Sequence, residues 1–178
     1  GAAFRLALPL PLALLLIRRG VKTGIEGVIV CVVLLTALMG PFRGPLVLFP
    51  YGLLSLWLGY CWYKRWNWWL SWSVGVAVGT MGFLVRVFVL SILVGENLWV
   101  IITRAGAGLI EKGVDIFNFP FSPDMTQVQL VSLCLVITQE IVYVLCLHAL
   151  AYWIFPRLKC SMPEPPALLG NLISLEPH

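Results

Sequence analysis

Two side chains that are charged at neutral pH stand inside long apolar runs of this 178-residue chain, Arg86 and Glu140. A guanidinium placed at the centre of a hydrocarbon layer costs about 2.5–3.5 kcal/mol on insertion scales. A charge in that position needs a partner, a cavity or a ligand. Its chemistry is recognition rather than bond-breaking: an arginine can hold an anionic group, and a buried carboxylate can fix that arginine or bind a cation. Asn97 and Trp99 follow the run that carries Arg86, and Tyr143 lies one turn beyond Glu140. These five residues are the candidate ligand contacts, with stacking and polar contacts expected from Trp99 and Asn97. A structural ion pair between Arg86 and Glu140 is the competing reading.

Arg86 also ends a stripe of small residues. Ser71, Gly75, Gly79, Gly82 and Arg86 are separated by 4, 4, 3 and 4 positions, so on a helix they share one narrow face. Gly75 and Gly79 form a small-xxx-small pair, which lets a second backbone approach closely within lipid. The stripe is either a packing seam inside the bundle or a docking face for another membrane protein.

The elements that must position these residues are helices. Hydrophobic residues make up 60% of the chain and charged residues 11%, against about 25% charged in soluble domains. The fold class is an all-α integral membrane protein. The pattern gives five spanning helices in this chain and six in the full-length protein. The first run, Leu6–Ile17, is short and carries Pro9 and Pro11, so its first half is expected to be kinked or irregular. A second helix follows a capping-box spacing at Thr23 and Glu26 and ends at Gly40-Pro41. A third runs from Leu46 to Trp62, and the glycine-striped helix from Asn67 to about Leu93. The excursion 95–127 contains an amphipathic, interfacial or lid-like helix over Glu96–Phe117, broken at Asn118–Pro123. The last helix starts at Ser122-Pro123-Asp124 and runs to about Phe155. Residues 1–155 form the transmembrane domain and 156–178 a proline-containing tail. The opening Gly-Ala-Ala-Phe has no basic leader, so a longer protein with one preceding helix is expected.

Trp62, Trp66, Trp68, Trp69 and Trp72 crowd one short region, as in an interfacial aromatic belt. Basic residues fall at Arg18, Arg19 and Lys22, at Lys64 and Arg65, and at Arg157 and Lys159, all on one side by the expected topology. The positive-inside rule then puts the carboxyl terminus in the cytoplasm, in a bacterial cytoplasmic or a thylakoid membrane. A net charge of +4 spread over loops gives no reason to invoke nucleic acid. Five cysteines without CxxC spacing read as small hydrophobes rather than metal ligands, and His148 reads as a packed histidine. No phosphate-binding loop, HExxH or nucleophile elbow occurs, so neither ATP chemistry nor an enzyme is expected, and no cofactor.

Arg18-Arg19-Gly20, the helix from Gly24, Leu48-Phe-Pro-Tyr-Gly-Leu-Leu54 and Gly59-Tyr-Cys-Trp62 resemble an uncharacterised bacterial multispan family distantly related to energy-coupling-factor S components. Trp69 through Gly95-Glu-Asn-Leu-Trp99 is most similar to a cyanobacterial branch. The resemblance implies a six-helix bundle with both ends cytoplasmic. It also implies capture of a vitamin or metal ion from outside, together with a membrane T subunit and two ATPases. The alternative is a non-transporting scaffold or assembly subunit that packs through its glycine stripe in a larger membrane complex.

Overall fold

The computed structural model describes residues 8–42, 44–117 and 124–160, with backbone only at 105 and 109–117. Among them there is no strand. Six α-helices follow in order: α1 (Pro9–Arg19), α2 (Val21–Met39), α3 (Tyr51–Tyr63), α4 (Trp68–Val94), α5 (Leu98–Phe117) and α6 (Met125–Ile154). A 3₁₀ turn, Pro45–Leu48, leads into α3, and another, Pro156–Leu158, follows α6. The protein is an all-α membrane protein.

Four segments are long and apolar enough to cross a bilayer: Val21–Met39, Pro45–Tyr63, Trp68–Val94 and Met125–Ile154. Of the five expected crossings, four are helices of spanning length among the described residues, and α1 is the fifth. The 11 residues of α1 rise only about 16 Å, half of a hydrocarbon layer about 30 Å thick. α1 is also regular. Its prolines fall in the first turn, where a missing N–H costs nothing, so they start the helix instead of kinking it.

α1 and α2 form a hairpin closed by one residue. Gly20 has φ +90°, a conformation that costs glycine little. The helix resumes at once at Val21, so the capping box read at Thr23 and Glu26 is corrected: both lie inside α2, and no side chain caps it. α1 packs on α3 at Gly59, where a β-carbon would stand 3.1 Å from the Ala13 Cα. Ala13, Leu54, Leu58, Trp62, Val144, Leu147, Ala151 and Phe155 then join α1, α3 and α6 into one core.

The outside of the bundle suits lipid. Ile29, Val33 and Leu34 on α2 are exposed, and Leu38 is 82% exposed. Such a face would be a liability in water, whereas in a bilayer only backbone polarity must be hidden. Cys31, Cys134 and Cys146 are half-buried or exposed, while Cys61 and Cys160 are buried.

The tryptophan cluster divides. Trp66 and Trp69 are exposed, as a belt requires, but Trp62 and Trp68 are buried in the core. α6 begins with a capping box in which the Asp124 carboxylate and the Gln127 side chain satisfy each other's backbone N–H groups. That cap is Asp124; Ser122, Pro123, the break at 118–123 and the tail beyond 160 lie outside the described residues.

Candidate functional site

α4 and α6 run antiparallel in a fixed register that three rungs make visible. Ser71 meets His148, Gly75 meets Val144, and Gly79 meets Glu140, each rung four residues on from the last. Ser71, Gly75, Gly79 and Gly82 are all buried within the chain. The stripe is thus turned inward on α3 and α6, and a partner protein would have to open the bundle to reach it.

The first rung is a buried polar pair. His148 is 0% exposed. Its Nδ1 lies 2.9 Å from the Val144 carbonyl oxygen, which can only accept, so Nδ1 carries the proton. In the neutral ring Nε2 then accepts from the Ser71 hydroxyl at 3.0 Å. Trp62 and Trp68 close over the ring at centroid distances of 5.4 and 4.8 Å. Both ring nitrogens are occupied, and the histidine is a packed one.

The other end of the stripe builds a cavity. At Gly79 a β-carbon would overlap the Glu140 carboxylate, so the glycine makes the space that this side chain fills. Glu140 itself is 5% exposed. At Gly82 a β-carbon would stand 2.7 Å from the Pro50 Cα, so the start of α3 lies against α4 one turn before Arg86. Pro50 delivers Tyr51, and the Arg86 guanidinium carbon sits 6.0 Å from the Tyr51 ring centroid. That distance is the outer range of a cation–π contact. Tyr143 meets Tyr51 edge-on with centroids 6.5 Å apart.

Arg86, Glu140, Gln139 and Tyr51 line one cavity of about 240 Å³, walled by apolar residues that include Leu90 and Ile102. The α4–α6 register puts Arg86 seven residues beyond the Glu140 rung, about 10 Å along the axis. Sequence reading paired these two charges, and the structure brings them to the same cavity with Tyr143 beside it. It does not bring Asn97 and Trp99 there. Those two line a separate, open groove of about 620 Å³ between α4 and α5, with Phe88, Ser91 and Glu96. The Asn97 Oδ1 accepts from the backbone N–H groups of Trp99 and Val100, at 3.1 and 3.3 Å, and so caps α5. Val87 lies on both walls and separates the two spaces.

Tyr51 and Gln139 escaped the sequence reading as site residues. Gln139 carried a usable signal, being a second polar residue beside Glu140 in an apolar helix. Tyr51 carried none, because its place depends on how Pro50 meets Gly82 across two helices.

A family model described as "Predicted membrane protein (DUF2232)" matches residues 1–117. No curated protein and no solved structure matches the chain.

Proposed function

We propose, for a chain that belongs to the family "Predicted membrane protein (DUF2232)", that it captures a small ligand within the membrane. In this reading it is the substrate-binding subunit of an energy-coupling-factor-type importer. The carrying observation is the cavity where Arg86 of α4, Glu140 and Gln139 of α6, and Tyr51 of α3 converge among apolar walls. Ligand sites are typically apolar with a few convergent polar groups. Arg86 would hold an anionic group of the ligand, Glu140 would orient Arg86 or balance a cationic group, and the tyrosine rings would cover the flat face.

Among the described residues no three His, Cys, Asp or Glu side chains converge. An organic anion of vitamin size therefore fits better than a metal ion. Binding needs no chemistry on the ligand, and we read the chain as non-enzymatic. Energy would come from a membrane T subunit and two ATPases. The basic residues at one end of the bundle support a cytoplasmic carboxyl terminus in a bacterial cytoplasmic or thylakoid membrane.

Co-purification in mild detergent tests this reading. Recovery of a T subunit with ATPases supports it. Stoichiometric recovery of a large complex without ATPases contradicts it and favours the assembly role.

A further inference from the structure

A second groove, lined by none of the residues of the Arg86 cavity, runs toward the end of the bundle where α1 meets α2 and α3 stops. Leu16 of α1, Val21 and Ile25 of α2, and Leu53, Trp57 and Tyr60 of α3 line a shallow groove of about 380 Å³ on the outside of the bundle. Its lining is almost wholly apolar. On α3 the groove follows one helical stripe, and the next position on that stripe, four residues after Tyr60, is Lys64. On α2 the groove begins at Val21, beside Lys22. Arg19 ends α1 across the one-residue turn.

These cations belong to one basic end. Arg18 donates to the Leu158 carbonyl at 2.6 Å, tying the end of α1 to the turn after α6. Trp62 packs on Phe155 with centroids 5.4 Å apart, tying the end of α3 to the same place. Arg18, Arg19, Lys22, Lys64, Arg65, Arg157 and Lys159 are all exposed there. Glu26, exposed one turn into α2 from Lys22, is the acid nearest the groove in sequence; like the cations it flanks the groove and is not in its lining.

We propose that this groove binds one anionic glycerophospholipid, an acyl chain along the apolar stripe and the phosphate between Lys22, Lys64 and Arg19. An apolar trough explains a tail, and a rim with at least three cations explains a negative headgroup. A zwitterionic lipid would fill the trough equally well but gain little from the rim. A helix of a partner protein would cover the trough and leave the rim without a counter-charge. Lys64 belongs to the site because it continues the α3 stripe by one turn, and Lys22 because it stands three residues before Ile25 on α2, whereas Arg157 stacks on Trp153, its guanidinium 4.2 Å from the ring centroid, on α6.

Native mass spectrometry of the full chain in mild detergent, given equimolar dioleoyl phosphatidylglycerol and dioleoyl phosphatidylcholine, tests the site. The parent should retain phosphatidylglycerol preferentially. Lys22→Gln with Lys64→Gln should lower the glycerol-to-choline ratio at least about five-fold, the effect of about 1 kcal/mol for one basic residue at an anionic surface. Arg157→Gln should leave the ratio within about two-fold of the parent. Equal retention of both lipids by the parent overturns the proposal, as does a ratio unchanged in the double variant. An equal loss in Arg157→Gln overturns it too, because the attraction would then belong to the basic end as a whole. The outcome is independent of whether the Arg86 cavity binds anything.

Discussion

The Glu140 carboxylate occupies the space that a β-carbon on Gly79 would need. Two residues 61 positions apart are thereby one steric unit. The glycine lets α6 carry an acid into the bundle, and the acid explains why that position on α4 has no side chain.

The first prediction grades three glycines by what a methyl group would meet. Overpacking a well-filled site costs about 1–3 kcal/mol, while alanine gains about 0.5–1 kcal/mol over glycine within a helix. At Gly82 the obstacle is the Pro50 backbone, which cannot rotate away. At Gly79 it is a carboxylate that must leave its place, and at Gly75 it is a methyl of Val144 at 3.1 Å. Thermal unfolding in detergent should therefore show Gly82→Ala as the most harmful and Gly75→Ala as near neutral. Adding Val144→Ala should recover any loss at Gly75. The reverse ranking would contradict the packing of α4 on the start of α3 and on α6.

Ser71 and His148 give a second prediction through their 3.0 Å hydrogen bond. Ser71→Ala leaves the Nε2 of a fully buried ring without its donor, a loss of about 1–3 kcal/mol. Replacing both partners, Ser71→Ala with His148→Phe, should cost less than the two single losses combined, because no orphaned polar atom remains. Additive losses in a double-mutant cycle would show that the pair is not coupled.

Much of this was legible in the sequence. Composition and run lengths gave the class and four of the spanning helices, because hydropathy over about 20 residues is a local property. The 4-4-3-4 spacing of the stripe showed that Ser71, Gly75, Gly79, Gly82 and Arg86 share a face. What that face meets was not local: His148, Val144, Glu140 and Pro50 come from other helices, and register between helices is set by packing. The same reason hid Tyr51 and the division of Asn97 and Arg86 between two spaces. Asn97 is near Arg86 in sequence, but Gly95 ends α4 in a left-handed turn and α5 starts on Asn97 itself. α1 is a separate case: its apolarity marks it as membrane-embedded, but the one-residue turn at Gly20 that folds it back along α2 has no local signature beyond the glycine.

A third prediction concerns Tyr51, whose ring the Arg86 guanidinium overlies with its carbon 6.0 Å from the centroid. Tyr51→Phe should keep ligand retention within about two-fold, whereas Tyr51→Leu should weaken it by roughly the 0.5–1 kcal/mol of a modest cation–π contact, about two- to five-fold. Titration calorimetry with the ligand recovered from the parent would read both. Equal losses in the two variants would transfer the role to the hydroxyl.

The start of α6 supplies a fourth. Asp124 caps it, its Oδ1 accepting from the Met125 N–H at 2.8 Å. Asp124→Ala should cost about 1 kcal/mol. It should speed amide hydrogen exchange about five-fold at Met125–Val128 while leaving exchange near Glu140 unchanged. Faster exchange along the whole of α6 would show that the cap governs the helix and not merely its first turn.

The central claim is that Arg86 and Glu140 line a ligand cavity, and small molecules extracted from the purified protein test it most directly. Mass spectrometry of the extract should find one organic anion near stoichiometric amount in the parent and in a Trp69→Phe control, and at least ten-fold less in Arg86→Ala of equal thermal stability. No retained molecule in the parent, or the same molecule undiminished in Arg86→Ala, would contradict the claim.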